Sequence, residues 1–165
     1  TVQLGTGAAD TGAAIDLNEA AGRLLIAGTV GAAFGTQTHI GDNDALVLLR
    51  DLDGNAVTAV QWGTPQSESV MGAVFTLDGS IRVAGTTMGD MGGGASTMFG
   101  DFFLSVLTAD AVVQSAEQEG TDGLDFLYNL VADPEGGAVA IGGSGDGFFG
   151  LTGDGMFDMF IHYHP

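Results

Sequence analysis

The residues best suited to chemistry in this chain are His162 and His164, two positions apart near the end of the sequence. In an extended strand alternate side chains share a face. Both imidazoles would therefore point the same way, a spacing that suits a metal ion. Two imidazoles without further ligands do not make a metal centre, and a solvated or interfacial strand end is the simpler reading of the pair. A second candidate is Asp51-Leu52-Asp53-Gly54-Asn55, where Asp51, Asp53 and Asn55 alternate around a glycine like the first half of a calcium loop. No bidentate Glu follows, so a hairpin turn is the simpler reading. Carboxylates are mostly aspartate, 16 against 5 glutamates, and Asp42, Asp44, Asp146 and Asp154 crowd glycine-rich stretches. Calcium is the one cofactor this pattern allows.

Other chemistries are disfavoured by what is missing. The chain has no cysteine, hence no disulfide framework, thiolate zinc site or cysteine nucleophile. It has no lysine, three arginines (Arg23, Arg50, Arg82) and a formal charge of −18. Binding phosphate backbones depends on clustered cations, so nucleic acid is not an expected partner. Glycine-rich stretches 31–43, 88–100 and 145–155 lack the Gly-Lys-Ser/Thr and following helix of a phosphate loop. No supported Ser-His-Asp order is present, and apolar runs such as Leu46–Leu49 are too short to span a bilayer as a helix. No leader is visible ahead of Thr1, which is expected to be a processed or engineered boundary.

What must position these residues is a repeat. Gln3-Leu4-Gly5-Thr6 returns as Gln61-Trp62-Gly63-Thr64 and Gln118-Glu119-Gly120-Thr121. Gly28, Gly85 and Gly142 recur at 57-residue intervals, as do Asp44, Asp101 and Asp158, and the turn glycines Gly22, Gly79 and Gly136. His162 and His164 are private to the last unit, replacing Ser105 and Leu107. One domain of three units is expected, at about 6–63, 64–120 and 121–165 with 1–5 added. Asp44, Asp101 and Asp158 could line a pore and hold a cation. A latch rebuilt in every unit accounts better for their recurrence, because a short Asp at a strand entrance accepts loop N–H bonds.

Within unit two the pattern predicts strands over Val70–Thr76, Ile81–Thr86, Asp101–Leu107 and Ala111–Gln118, with Asp78-Gly79 supplying a hairpin turn. Runs such as Leu24-Leu25-Ile26-Ala27 and Phe102-Phe103-Leu104 are apolar on successive positions, so both faces of each sheet must be covered. Phe34, Met91 and Phe148 occupy equivalent places in the glycine-rich stretches and are expected to plug them onto the sheets. Trp62 and Tyr128 are expected in packed positions. The fold class is all-β, built as propeller blades; a three-fold closed β-trefoil or β-prism is the alternative.

Gly-x-(Ile/Val)-x-Val-Ala-Gly-Thr, a glycine-rich loop, Asp followed by apolar residues, then Leu-x-x-Asp-Gly-Asn resembles the bacterial seven-bladed β-propeller (SBBP-type) repeat. Gly79–Leu107 carries it most cleanly, with Asp44–Asn55 and Gly136–Ile161 as partial matches. The resemblance implies a secreted or cell-surface bacterial protein without a common enzymatic activity. The chain departs from it in having three units. Two function classes follow. One is a non-catalytic module that binds protein or glycan, or serves as a structural subunit. The other is a metal-dependent hydrolase or lyase with its site near the last repeat. Thr1–Gly5 matches a fourth strand and Asp158–Tyr163 a third. The N-terminal strand is therefore expected to complete the last blade, by self-association or with other propeller subunits.

Overall fold

The computed structural model describes residues 1–92, 100–147, 150, 152, 153 and 157–165. Among these it is all-β, with antiparallel strands in three sheets and no helix. Sheet one holds β1 (Asp10–Asn18), β2 (Arg23–Val30), β3 (Asp44–Arg50) and β4 (Ala56–Trp62), side by side in chain order. Sheet two repeats this with β5 (Glu68–Phe75), β6 (Ile81–Thr87), β7 (Asp101–Leu107) and β8 (Val113–Glu119). Sheet three has β9 (Asp125–Ala132), β10 (Ala138–Ser144) and β11 (Asp158–His164), with β10 in the middle.

Turn chemistry sets the hairpins. In the β5–β6 turn Thr76 N–H donates to Ser80 O at 2.9 Å, and Gly79 sits at φ +83°, where a Cβ would be strained. The β7–β8 turn closes the same way, Thr108 N–H to Val112 O at 2.9 Å, but puts Ala111 at φ +60°.

The second recurring glycine has a different cause. Ala13, Met71 and Tyr128 are bulged out of the pairing of β1, β5 and β9 with their neighbours. Each bulge drives a backbone carbonyl, that of Thr11, Ser69 or Phe126, into the space a side chain would need on Gly28, Gly85 or Gly142. Only glycine tolerates that approach.

The sheets stack in order. The forward face of sheet one, with Ala45, Val47 and Leu49, packs on the rear face of sheet two, with Ala73, Phe75, Val83 and Phe103. The forward face of sheet two, with Ala84, Phe102 and Leu104, packs on Leu127, Leu130, Ala140 and Phe160 of sheet three. Hence β7 is buried on successive residues, while β11, covered on one side only, alternates. Burying a side chain such as Phe103 or Leu104 contributes about 1.5–3 kcal/mol.

Strand β5 lies against both β1 and β9. Each core cluster joins adjacent sheets or stays within one, and none joins sheets one and three among the described residues. A core cluster shared by all three sheets, as three-fold closure would give, is absent among the described residues. The segment Thr1–Gly5 forms no strand, and β11 has a free outer edge among the described residues. In this structure the two do not meet. Leu4 and Gly5 lie over the rear of sheet one, and sheet two separates that side from sheet three.

Candidate functional site

The repeated aspartates sit at the entrance of the third strand of each unit. Asp44 and Asp101 are buried. Asp44 Oδ2 accepts from Ile40 N–H at 2.9 Å and from Gln61 Nε2 at 2.8 Å, and Oδ1 accepts from Gly41 N–H at 3.1 Å. His39 Nδ1 lies 3.1 Å from Oδ2. Asp101 Oδ2 accepts from Gln118 Nε2 at 2.7 Å. The same two glutamines hold the glycine-rich loops through their other amide atom. Phe34 N–H donates to Gln61 Oε1 at 2.9 Å, and Met91 N–H to Gln118 Oε1 at 2.6 Å. A buried carboxylate is thus held by charge-assisted bonds, and one side chain links strand, neighbour and loop.

The rest of the Gln-x-Gly-Thr string acts on the next sheet. Thr64 gives its N–H and hydroxyl to the buried Glu68 carboxylate, both at 2.7 Å, and Thr87 Oγ1 donates at 2.8 Å. Thr121 N–H donates to Asp125 Oδ2 at 2.6 Å, and Ser144 Oγ to Asp125 Oδ1 at 2.5 Å. Thr6 N–H likewise donates to Asp10 Oδ2 at 2.5 Å. Burial pushes the Asp10 carboxyl up, but the bonds from the Thr6 N–H and hydroxyl and from Gly31 N–H together outweigh it and hold the carboxyl below its usual range. Gly63 leaves room between Glu68 and Asp44; a Cβ there would strike both carboxylates. Sequence reasoning saw the string but missed Asp10, Glu68 and Asp125. Their signal was an acid four residues after each recurring threonine.

Asp158 opens β11 at the third equivalent position and is half-buried. The strand that would bring it a glutamine is not in sheet three, and Gln3, which carries the matching string, is exposed at the far end of the stack.

His162 and His164 share the rear face of β11 with Phe160. The His162 ring stands edge-on to Phe102 at 6.0 Å and lies 6.3 Å from the His164 ring. Burial, then the neighbouring His164, lowers the His162 pKa below 6.5, against an opposing pull from Glu117. His164 Nε2 is 3.6 Å from Glu117 Oε2 on sheet two, and its Nδ1 is buried without a hydrogen bond. The pair is placed between sheets.

Asp51 spends its carboxylate inside its own turn. Oδ1 accepts from the N–H of Asp53 at 3.0 Å and of Asn55 at 2.8 Å, and Oδ2 from Asn55 Nδ2 at 2.8 Å. These bonds, the Asn55 side chain first, lower its pKa. Among the described residues no group of three His, Asp or Glu side chains is arranged to hold a metal ion.

Phe34 packs on Val30, Leu46 and Leu48, and Met91 against the core between sheets one and two. Phe148 and Asp154 lie outside the described residues. Trp62 is half-buried between sheets, but Tyr128 stands exposed, because it is the bulged residue of β9. No protein-family model and no curated protein matches the chain. Among the described residues no helix is long and apolar enough to cross a membrane.

Proposed function

We propose that the chain is a non-catalytic β-propeller module of a secreted or cell-surface bacterial protein, serving as a structural subunit that presents its loops to a protein or glycan. One observation carries this reading. The recurring buried acids, Asp44, Glu68, Asp101 and Asp125, each bond side chains of the fold itself. Groups so engaged serve to position loops and are poor general acids or nucleophiles. The acidic surface, with its −18 charge, favours partners that are neutral or cationic.

The test is a substrate panel of esters, phosphomonoesters, glycosides and uronate polysaccharides, assayed with added zinc or calcium. No turnover above buffer is expected. Metal-dependent turnover that disappears in His162→Ala or His164→Ala would replace this reading with a hydrolase or lyase centred on the last repeat.

A further inference from the structure

We propose that the cleft between sheets one and two is a binding site for a neutral saccharide; this rests on the module reading and makes a glycan its ligand.

The cleft has a volume of about 510 Å³, inside the range of roughly 300–1,000 Å³ usual for small-ligand sites. It lies between the first strands of two four-stranded sheets, β1 and β5, beside the residues that lead into β3 and β5. Bonds from sheet to sheet fix its walls. Val70 N–H donates to Thr29 Oγ1 at 3.0 Å, Glu68 N–H to Asn43 O at 2.9 Å, and Asn43 Nδ2 to Ser67 Oγ at 2.9 Å. A site braced in this way needs little ordering when a ligand arrives.

Those bonds leave a specific set of groups over. Thr29 and Ser67 each accept through the hydroxyl oxygen and keep a proton to donate. Asn43 donates through Nδ2 and keeps Oδ1 as an acceptor. The Thr11 hydroxyl bonds none of the described residues and can do either. Donors and acceptors side by side suit neighbouring sugar hydroxyls, each of which does both. Val70 and the bulged Met71, which is 39% exposed, give apolar surface for the C–H groups of the ring.

Other ligands fit less well. Glu68 is the one charged side chain among the described lining residues, so an anion finds no counter-charge. A cation finds that carboxylate already bonded by Thr64 and Thr87. An extended peptide would have to add to the edge of β1 or β5, and the bulges at Ala13 and Met71 interrupt both.

The repeat supplies a comparison inside the molecule. Where sheet two meets sheet three, Gly100 and Leu124 stand at the positions of Asn43 and Ser67. Thr86, at the position of Thr29, has its buried hydroxyl without a hydrogen bond. The structural acid is kept there, as Asp125, and the sheets still pack. The fold therefore does not require Asn43 and Ser67 at a junction, and their polar groups are free to serve a ligand.

The full chain is titrated calorimetrically with cellobiose, maltose, lactose, xylobiose, mannobiose and diacetylchitobiose. Galacturonic acid and tri-alanine serve as the anionic and peptide probes. At least one neutral disaccharide is expected to bind with a Kd of about 1 mM or tighter, and neither other probe. Thr11→Val removes one exposed hydroxyl and keeps its shape; it should weaken binding about threefold to tenfold, the worth of one hydrogen bond. Ser67→Leu, which installs the side chain of the second junction, should abolish binding with unchanged far-ultraviolet circular dichroism. No heat from any neutral disaccharide up to about 20 mM would overturn the site. So would wild-type affinity in both variants, or equal binding of galacturonic acid or tri-alanine. An inert chain that binds no sugar sinks the cleft and leaves the module reading standing; cleavage of a bound disaccharide does the reverse.

Discussion

Trp62 Nε1 lies 3.3 Å from Ser105 Oγ, a hydrogen bond from the outer strand of sheet one to the third strand of sheet two. Trp62 is the chain's single tryptophan, so its fluorescence reports on this junction alone. Ser105→Ala removes the acceptor without changing the surrounding shape. The expected cost is about 1 kcal/mol, the ordinary net worth of a neutral hydrogen bond. The check is a denaturant titration followed by Trp62 emission; a change under ~0.3 kcal/mol would mean the bond is not made in solution.

Gln118 holds a buried aspartate and a loop together, so Gln118→Ala leaves Asp101 short of its charge-assisted partner. The expected loss is about 2–3 kcal/mol, because an under-bonded buried carboxylate costs more than a neutral bond. A fall of roughly 5 °C or more in Tm should follow for a domain of this size. Gln118→Glu should be worse, since it sets two carboxyl groups against each other.

Gly85 is hemmed in by the carbonyl of Ser69 and the ring of Phe103. Gly85→Ala must push the bulge or the core apart, at an expected ~2 kcal/mol or more. Gly7→Ala meets nothing within 4 Å and should stay within about 0.5 kcal/mol of the parent. Equal effects at the two sites in thermal melts would show that the bulge carbonyl does not set the glycine.

The pH response separates two sets of groups. His162 has its pKa lowered from 6.5, first by burial and then by His164. A basic group whose pKa is lower in the folded state takes up protons more readily when unfolded. Its neutral-form stability is therefore complete above about pH 6.5 and is lost as pH falls below it. Tm should drop between about pH 7.5 and 5.5, and His162→Gln should flatten that drop. Asp78 behaves in a lower window. Hydrogen bonds from Thr76 and Ser80 depress its carboxyl from 3.8 to about 2, so its contribution is present above 3.8 and fades as pH falls through about 2. A response unchanged in His162→Gln would assign the upper window to other groups.

The strands were largely legible in the residues, and the misses have specific causes. The β7 limits, Asp101–Leu107, agree with the pattern, because a buried Asp and a run of large apolar residues mark both ends. Strand β5 begins two residues earlier than Val70 suggests, at Glu68, whose charge looks like loop until its threonine partners are seen. Strand β8 begins at Val113, not Ala111, because Ala111 takes a left-handed turn conformation that its type does not advertise. At the site, the Gln-x-Gly-Thr string was visible as a repeat. Its pairing with an aspartate 17 positions back was not, since that contact depends on strand register. Which face of each sheet meets which neighbour was equally hidden, because residues of β3 and β7 are apolar on both.

The Gln-x-Gly-Thr string starts in one sheet and finishes in the next, so the stretch copied along this chain is offset from the sheet itself. A segment running from one such string to the next carries, at its front, the closing strand of its predecessor, and at its back a sheet that still wants one. Each further copy would therefore mend one gap and open another. An array of any length grown in this frame is short of one outer strand, that of its rearmost sheet, however many copies it holds.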